Sequence, residues 1–323
     1  MDGQSGVYRP RNTKESGWYK CVEDNFDEFV RHYDELFAAK FGFWRHHIEK
    51  VIYRFLDCGD LKQGFARIRC GDCGEEFLVA FSCKCRHFCP SCHAKRVVEF
   101  GEFLVTEVLA QVPHRHVVLS LPKFIRRYFL YDRKLLGKLS RCGWETLKLY
   151  LETACPGGSV PGAVVAIQTF GDLLAFHPHL HILVTDGCFQ READFIRAPF
   201  FDRTRLEHLF MRKVFSMLLS EGLLTNELIE MHSKWRHSGF HVFCGQPVTA
   251  EDETSRENLA RYIVRASLSQ ERLTYLEQED KVVYKAKDGS AEKEFSSLEW
   301  LANICSHIPN PGEHMVRYYG ILQ

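Results

Sequence analysis

The sequence predicts an α+β protein. A helical, cysteine-bearing N-terminal domain is followed by a domain with a mainly antiparallel sheet flanked by helices. Three observations predict it. Apolar residues recur at three- and four-residue steps through residues 21–60, the period of an amphipathic helix. Six of the thirteen cysteines lie between residues 70 and 92. Beyond Pro113, short β-type runs mix with helical stretches, with both short and long connections, which favours antiparallel pairing.

The elements follow in order. Residues 1–20 read as a loose arm, residues 21–112 as a helical zinc-binding domain, and residues 113–323 as a second domain. Within the first, the helical pattern of 21–60 ends in Gly, the cysteine run follows, and 94–112 reads as a helix leading to Pro113. In the second, "HRHVVLSLP" is a strand closed by Pro122, and residues 123–155 form a long basic, aromatic helical stretch. "AVVAIQTFGD" and "HPHLHILVTDG" make a hairpin around residues 173–176, and "CFQREADFIRAP" adds a further strand. Helices are expected at about 202–222 and 225–235, a strand at "GFHVFCGQPV", and a helix from Ser255 to about 268. A hairpin in 272–290, a helix at "SLEWLANICSHIP" and a strand at "HMVRYYGILQ" complete the chain.

The bulk numbers fit a soluble globular protein, with 45% hydrophobic and 26% charged residues over a length sufficient for two cores. No apolar run approaches the ~20 residues of a membrane span, and the N-terminus lacks the apolar core of a secretory signal. Net charge is zero, yet residues 81–150 carry 13 Lys+Arg against 5 Asp+Glu. A local excess of this kind suits a polyanion on one side of the molecule, or else a solvated helix face.

Thirteen cysteines without a secretory signal point to a reducing compartment and to metal thiolates rather than disulfides. Cys70-x-x-Cys73 and Cys89-x-x-Cys92 are two knuckles 15 residues apart. Four thiolates so placed form a closed tetrahedral site for structural Zn²⁺. Cys83, Cys85, His87 and His93 are spare: they serve a second ion or replace one of the four, with Cys83 the first candidate. Lys84, Arg86, Lys95 and Arg96 surround the run and present cations to a phosphate backbone.

The stretch "AFHPHLHILVTDG" places His177, His179 and His181 on alternate positions. Alternation alone is not diagnostic. With 16 His in 323 residues, chance supplies roughly one His-x-His pair, and His114 and His116 flank Arg115 in the same way. What distinguishes 179–181 is the apolar Leu180 between its imidazoles. In a strand, Leu180, Ile182 and Val184 share one face, while His179, His181 and Leu183 share the other. Further on, Leu259, Ile263 and Ala266 make an apolar helical stripe with Tyr262 at its margin, beside Arg261 and Arg265. Taken alone, that tyrosine reads equally as a boundary residue with its hydroxyl in water.

The motifs "FCPSC", "VVLSLP", "IQTFGDLLAFHPHLHILVTDG", "KWRHSGFHV", "ENLARYIVR" and "CSHIPNPGEHMVRYYG" occur in this order over residues 20–320. Together they resemble the rolling-circle transposases of a bacterial insertion-sequence family, including its common-region relatives. That resemblance implies an N-terminal zinc-binding domain and a catalytic domain of the HUH type, in which two histidines flank a bulky apolar residue. The pair is then His179 and His181, and the nucleophile Tyr262. It implies Mg²⁺ or Mn²⁺ on the imidazoles and cleavage of single-stranded DNA, at element ends and target, through a 5′-phosphotyrosine. The third metal ligand is open between Gln168, on the preceding strand, and His177, with Gln270 further along. Arg261 and Arg265 would contact DNA, and Arg126 and Arg127 in "KFIRRYFLYDRK" would join them if its aromatic residues stack unpaired bases. The resemblance also implies a bacterial cytoplasmic protein associated with the nucleoid.

Two departures bear on this. Some members carry two tyrosines one helical turn apart, whereas Asn258 stands one turn before Tyr262. A single nucleophile would act twice, or two protomers of a homodimer would cooperate. The chain also stops soon after "RYYG", which raises truncation. The competing function is a zinc-dependent DNA-binding protein with a degenerate, non-catalytic HUH domain. It would shift an oligonucleotide without forming a covalent product.

Overall fold

The computed structural model describes residues 13–85, 87–190 and 194–322. The chain divides into two compact units: Met1–Arg96 with Ala266–Ile308, and Val97–Arg265 with Pro309–Gln323. The sequence reading places one cut after residue 112; the structure cuts at 96 and returns residues 266–308 to the first unit.

The reason for the return lies in the first unit's core. Helix α1 (Gly17–Leu36) starts where Ser16 Oγ accepts the Tyr19 N–H, so helix begins inside the stretch expected to be a loose arm; residues 1–12 of that arm lie outside the described residues. After α2 (Ala38–Phe41), Gly42 takes φ +86°, which ends the helical run expected to reach residue 60. Helix α3 (His47–Leu56) then packs Ile48, Ile52 and Phe55 against the face of α1 that buries Trp18, Phe26 and Phe29. The indole of Trp18 meets that of Trp300 edge-on, 6.3 Å between centroids. Trp300 lies on α10 (Ser297–His307), and its own neighbours are Tyr284 and Phe295. These come from a second short sheet of β9 (Leu273–Leu276), β10 (Lys281–Lys285) and β11 (Glu292–Ser296), one strand more than the expected hairpin. Arg45 seals the junction by donating to the carbonyls of Cys305 and Ile308. The late segment thus completes an aromatic core that α1 and α3 leave open.

Between α3 and α4 (Pro90–Phe103) stands an antiparallel hairpin, β1 (Phe65–Arg69) and β2 (Glu76–Ala80).

The second unit is built on a five-stranded antiparallel sheet. Its strands are β3 (His114–Ser120), β4 (Gly162–Phe170), β5 (Phe176–Thr185), β8 (His241–Val248) and β12 (Val316–Gly320), in the order β12-β4-β5-β3-β8. The stretch expected to give one further strand forms a small hairpin, β6 (Gly187–Phe189) with β7 (Phe195–Arg197); residues 191–193 lie outside the described residues. On one face of the sheet Val117, Leu119, Val165, Leu180, Ile182 and Val184 pack under α6 (Lys134–Ala154) and α7 (Arg203–Ser220). Each such side chain contributes about 1.5–3 kcal/mol on full burial. Close approach of α6 depends on Gly143, where a Cβ would fall 2.4 Å from Leu180 Cδ1. The basic stretch before α6 is broken into α5 (Arg126–Tyr131) and α6, and α8 (Asn226–Ser233) follows α7.

On the other face, Val164, Ala166 and Leu183 pack against Phe100, Leu104, Leu109, Ala260 and Ile263. The last two lie on α9 (Glu253–Ile263), whose N-cap is Asp252 rather than Ser255. Its buried residues are Arg256, Ala260 and Ile263, with Leu259 packed beside them, so the expected stripe keeps Leu259 and Ile263 but starts a turn earlier, at Arg256. Arg256 anchors the helix through its guanidinium, which donates to the carbonyls of Leu109, Ala110 and Ala250 and to Gln111 Oε1. By strand alternation this is also the face that carries His179 and His181. Among the described residues no helix is long and apolar enough to cross a membrane.

Candidate active site and thiolate centre

The face of the sheet opposite α6 and α7 gathers three imidazoles. His179 Nε2 and His181 Nε2 lie 3.1 Å apart, and His181 Nδ1 lies 2.9 Å from His116 Nε2. His179 Nδ1 is 2.7 Å from the His177 carbonyl oxygen, which makes it the donor and leaves Nε2 as a lone pair. Two lone pairs 3.1 Å apart suit adjacent ligands of an ion with bonds of ~2.1 Å, whose cis donors are separated by about 3.0 Å. Burial holds all three rings neutral: it lowers the pKa of His116 to about 4, of His179 to about 4 and of His181 to about 2. Arg265 adds to the shift on each ring, and Arg126 on His179. Neutral imidazoles are the metal-binding form.

Gln168 sits directly opposite His179 in the β4–β5 register. Its Nε2 donates to the Ile263 carbonyl, while its buried Oε1 has no partner. An orphaned carbonyl oxygen facing the imidazole side suits a hard cation. His177, the alternative, has a ring centroid 5.1 Å from that of His179; burial, with Arg126 and His179, lowers its pKa to about 3. The register slips between Gln168 and Phe170, where β5 holds His177 and Pro178 against the single Thr169. Pro178 has no N–H to offer a ladder, so a bulge costs little there, and it turns His177 out of phase with the pair.

Tyr262 closes the site. Its ring stands edge-on to His181 at 5.5 Å and to His116 at 5.7 Å between centroids. It is 38% exposed. Arg265, just past the end of α9, donates from Nη1 to the Tyr262 hydroxyl at 3.3 Å and lies over the ring. The other arginines divide. Arg126 donates to the Leu121 carbonyl and acts electrostatically on His177 and His179. Arg261 lies against Gly101 and pairs with Glu257, and Arg127 lies over the ring of its neighbour Tyr128.

His116 is the residue that sequence reasoning missed. Its spacing with His114 looked incidental, and His114 is indeed elsewhere, with Nδ1 against the Val112 carbonyl. The available signal was strand phase. Alternation in "HRHVVLSLP" sets His116 on the face opposite Val117 and Leu119, the face that a neighbouring strand's histidines also use.

The thiolate centre departs further from expectation. The sulfurs that converge are Cys58, Cys83, Cys89 and Cys92. Cys70 and Cys73 are not among them; they lie at the tip of the β1–β2 hairpin. The hairpin is rooted beside Cys58, where Gly59 donates to the Phe81 carbonyl. Five extended residues at ~3.3 Å each carry the tip roughly 17 Å from that root. Cys58 follows the end of α3, Cys83 follows β2, Cys89 precedes α4 and Cys92 lies in its first turn. Sulfur separations of 3.6 to 3.8 Å match the ~3.8 Å edge of a tetrahedron with 2.3 Å Zn–S bonds. Bonding among the sulfurs lowers the Cys58 pKa to about 7, chiefly through Cys83, and also lowers that of Cys92, while it raises those of Cys83 and Cys89. A dication would replace this proton sharing. Arg86, one of the cations expected around the cysteines, lies outside the described residues.

Residues 162–323 match a family profile described as "Putative transposase", and residues 28–121 match one described as "Transposase zinc-binding domain". The "Transposase for insertion sequence element IS801" of Pseudomonas savastanoi pv. phaseolicola is 25% identical over 86% of this chain and 73% of its own length. The "Putative transposase y4qJ" of Sinorhizobium fredii is 26% identical over 91% of this chain and 79% of its own. No solved structure matches. The chain belongs to this transposase family, and residues 28–121 carry its zinc-binding domain.

Proposed function

We propose that this protein cuts and rejoins single-stranded DNA by HUH chemistry in rolling-circle transposition, with Tyr262 as nucleophile. The observation that carries the reading is the placement of the Tyr262 ring against His181 while the Nε2 atoms of His179 and His181 converge. His179, His181 and Gln168 would hold Mg²⁺ or Mn²⁺, which when bound polarises the scissile phosphate. Arg265 donates to the Tyr262 hydroxyl and orients it for attack. The oxygen of Tyr262 forms a bond to phosphorus as the bond to the 3′ oxygen breaks. The phenol gives up its proton to solvent, and the leaving oxygen takes one to become a free 3′-hydroxyl. The phosphodiester energy stays in the 5′-phosphotyrosine, so a second 3′-hydroxyl can reverse the step without ATP. Arg126 and Arg265 neutralise the incoming backbone, and Arg127 and Arg261 contribute further along the strand. Only one tyrosine lies on α9, so the same hydroxyl serves both steps within a protomer.

The test uses a pool of random single-stranded oligonucleotides labelled at the 3′ end, incubated with the protein and Mn²⁺. A labelled covalent adduct resistant to SDS is expected from the unaltered chain. A gel shift under native conditions with no adduct would leave only the DNA-binding reading.

A further inference from the structure

The Cys70–Cys73 knuckle, displaced from the thiolate centre, is organised for a metal of its own. The backbone N–H groups of Cys73 and Asp72, with the Cys73 thiol, hold the Cys70 pKa below the ordinary thiol range. The turn is fixed around it: Cys70 N–H donates to the Glu75 carbonyl, Gly74 N–H donates to the Cys70 carbonyl, and Gly74 takes φ +73°. A Cys-x-x-Cys turn fixed by two backbone bonds and closed by a left-handed glycine is the backbone that a pair of zinc thiolates uses.

Yet the knuckle offers two ligands, and zinc takes four. Among the described residues no group of three or more converging Cys, His, Asp or Glu ligands includes Cys70 or Cys73. The spare Cys85 lies at the opposite end of the hairpin, with its sulfur against the Val51 and Cys83 carbonyls. The hairpin also exposes apolar side chains: Ile68, Phe77 and Leu78 are each more than half exposed. An isolated two-stranded hairpin is marginal in water, and one with bare apolar flanks gains from being covered.

We propose that Cys70 and Cys73 form half of a second zinc site, and that a second copy of this chain supplies the same two thiolates across a twofold axis. A twofold contact is self-complementary, so two identical half-sites make one tetrahedral four-thiolate site with no further ligand. The axis passes through the ion, and the apolar flanks of the two hairpins meet beside it. The bridging ion joins protomers whether or not Tyr262 cuts DNA.

The experiment measures zinc content and molar mass on the full chain purified with a non-thiol reductant. The centre of Cys58, Cys83, Cys89 and Cys92 holds one ion per chain and the bridge half of one, so about 1.5 zinc per chain is expected in a particle of twice 37.6 kDa. Cys70→Ser with Cys73→Ser should give a monomer with one zinc per chain and an unchanged far-ultraviolet spectrum. Diluting the unaltered chain through its dissociation range, with a chromogenic chelator present, should release about a third of its zinc in step with the fall in mass. Two zinc per chain in a monomer, one zinc per chain in the unaltered protein, or a dimer that dissociates without releasing zinc would each overturn the proposal.

Discussion

His116 and His181 stack with their rings 8° from parallel, and a ring-to-ring nitrogen distance of 2.9 Å joins them. If His181 Nε2 binds an ion, its Nδ1 carries the proton and donates to His116 Nε2. His116 then fixes the tautomer and tilt of a ligand without touching the ion, the role that a carboxylate or carbonyl fills at many metal-bound histidines. Replacing it with Ala should weaken Mn²⁺ binding about 10- to 100-fold, by the usual cost of removing such a partner. Gln, which can accept the same proton, should recover much of the loss. Titration calorimetry with Mn²⁺ checks this; equal affinities for Ala, Gln and the unaltered chain would remove His116 from the site.

Tyr262→Phe should abolish the covalent adduct with labelled single-stranded DNA while native-gel binding persists. Arg265→Ala should leave the adduct detectable but slow its formation by about ten- to a thousandfold, the range for removing one charge-stabilising donor from a reacting site. If Tyr262→Phe still gave an adduct, another residue would be the nucleophile.

Cysteine substitutions should separate the two halves of the expected zinc set. Cys58→Ser removes a ligand from the closed centre and should strip its zinc and unfold the first unit, visible as the loss of a thermal transition. Cys70→Ser should leave that transition in place. If Cys58→Ser kept the full zinc content, the ligand set drawn from sulfur convergence would be wrong.

His114 predicts a pH dependence of stability. Burial, reinforced by Arg256, lowers its folded pKa to about 4 from an ordinary 6.5. The unfolded chain therefore binds more protons between those values. The contribution is intact above pH 6.5 and is lost as pH falls toward 4, amounting to about 2 kcal/mol at pH 5. Urea midpoints at pH 7 and pH 5 test it. The drop should shrink in His114→Asn, and an equal drop in both proteins would assign it elsewhere.

Much of the second unit was legible in the sequence because its signals are local. Most strands of the large sheet are short β-rich runs bounded by Pro, Gly or Asp, and the His-Leu-His pair shares a face by strand phase. What escaped depends on contacts between distant segments. Cys58 has no partner at knuckle spacing, and only the end of α3 beside the hairpin root makes it a ligand. The Cys70 knuckle matched the zinc pattern in spacing, yet the rigidity of β1 and β2 holds it away from the centre. On α9 the expected stripe ran from Leu259 to Ala266, whereas the buried one starts at Arg256, whose guanidinium bonds to carbonyls far away in the sequence. The affiliation of residues 266–308 rests on Trp300 meeting Trp18, a relationship no window of sequence contains.

That affiliation sets the order in which the molecule can mature on the ribosome. Trp18 emerges early, but its partner Trp300 emerges only after the whole stretch from Val97 to Arg265 has been made. The histidine-bearing sheet therefore has time to assemble, short of its last strand, while the amino-terminal helices still wait for their lid. Fragments ending near residue 112 should accordingly expose bare indole and phenyl rings and aggregate, whereas an internal deletion that spliced residue 96 to residue 266 through a short linker would give the zinc-bearing half every piece of its interior.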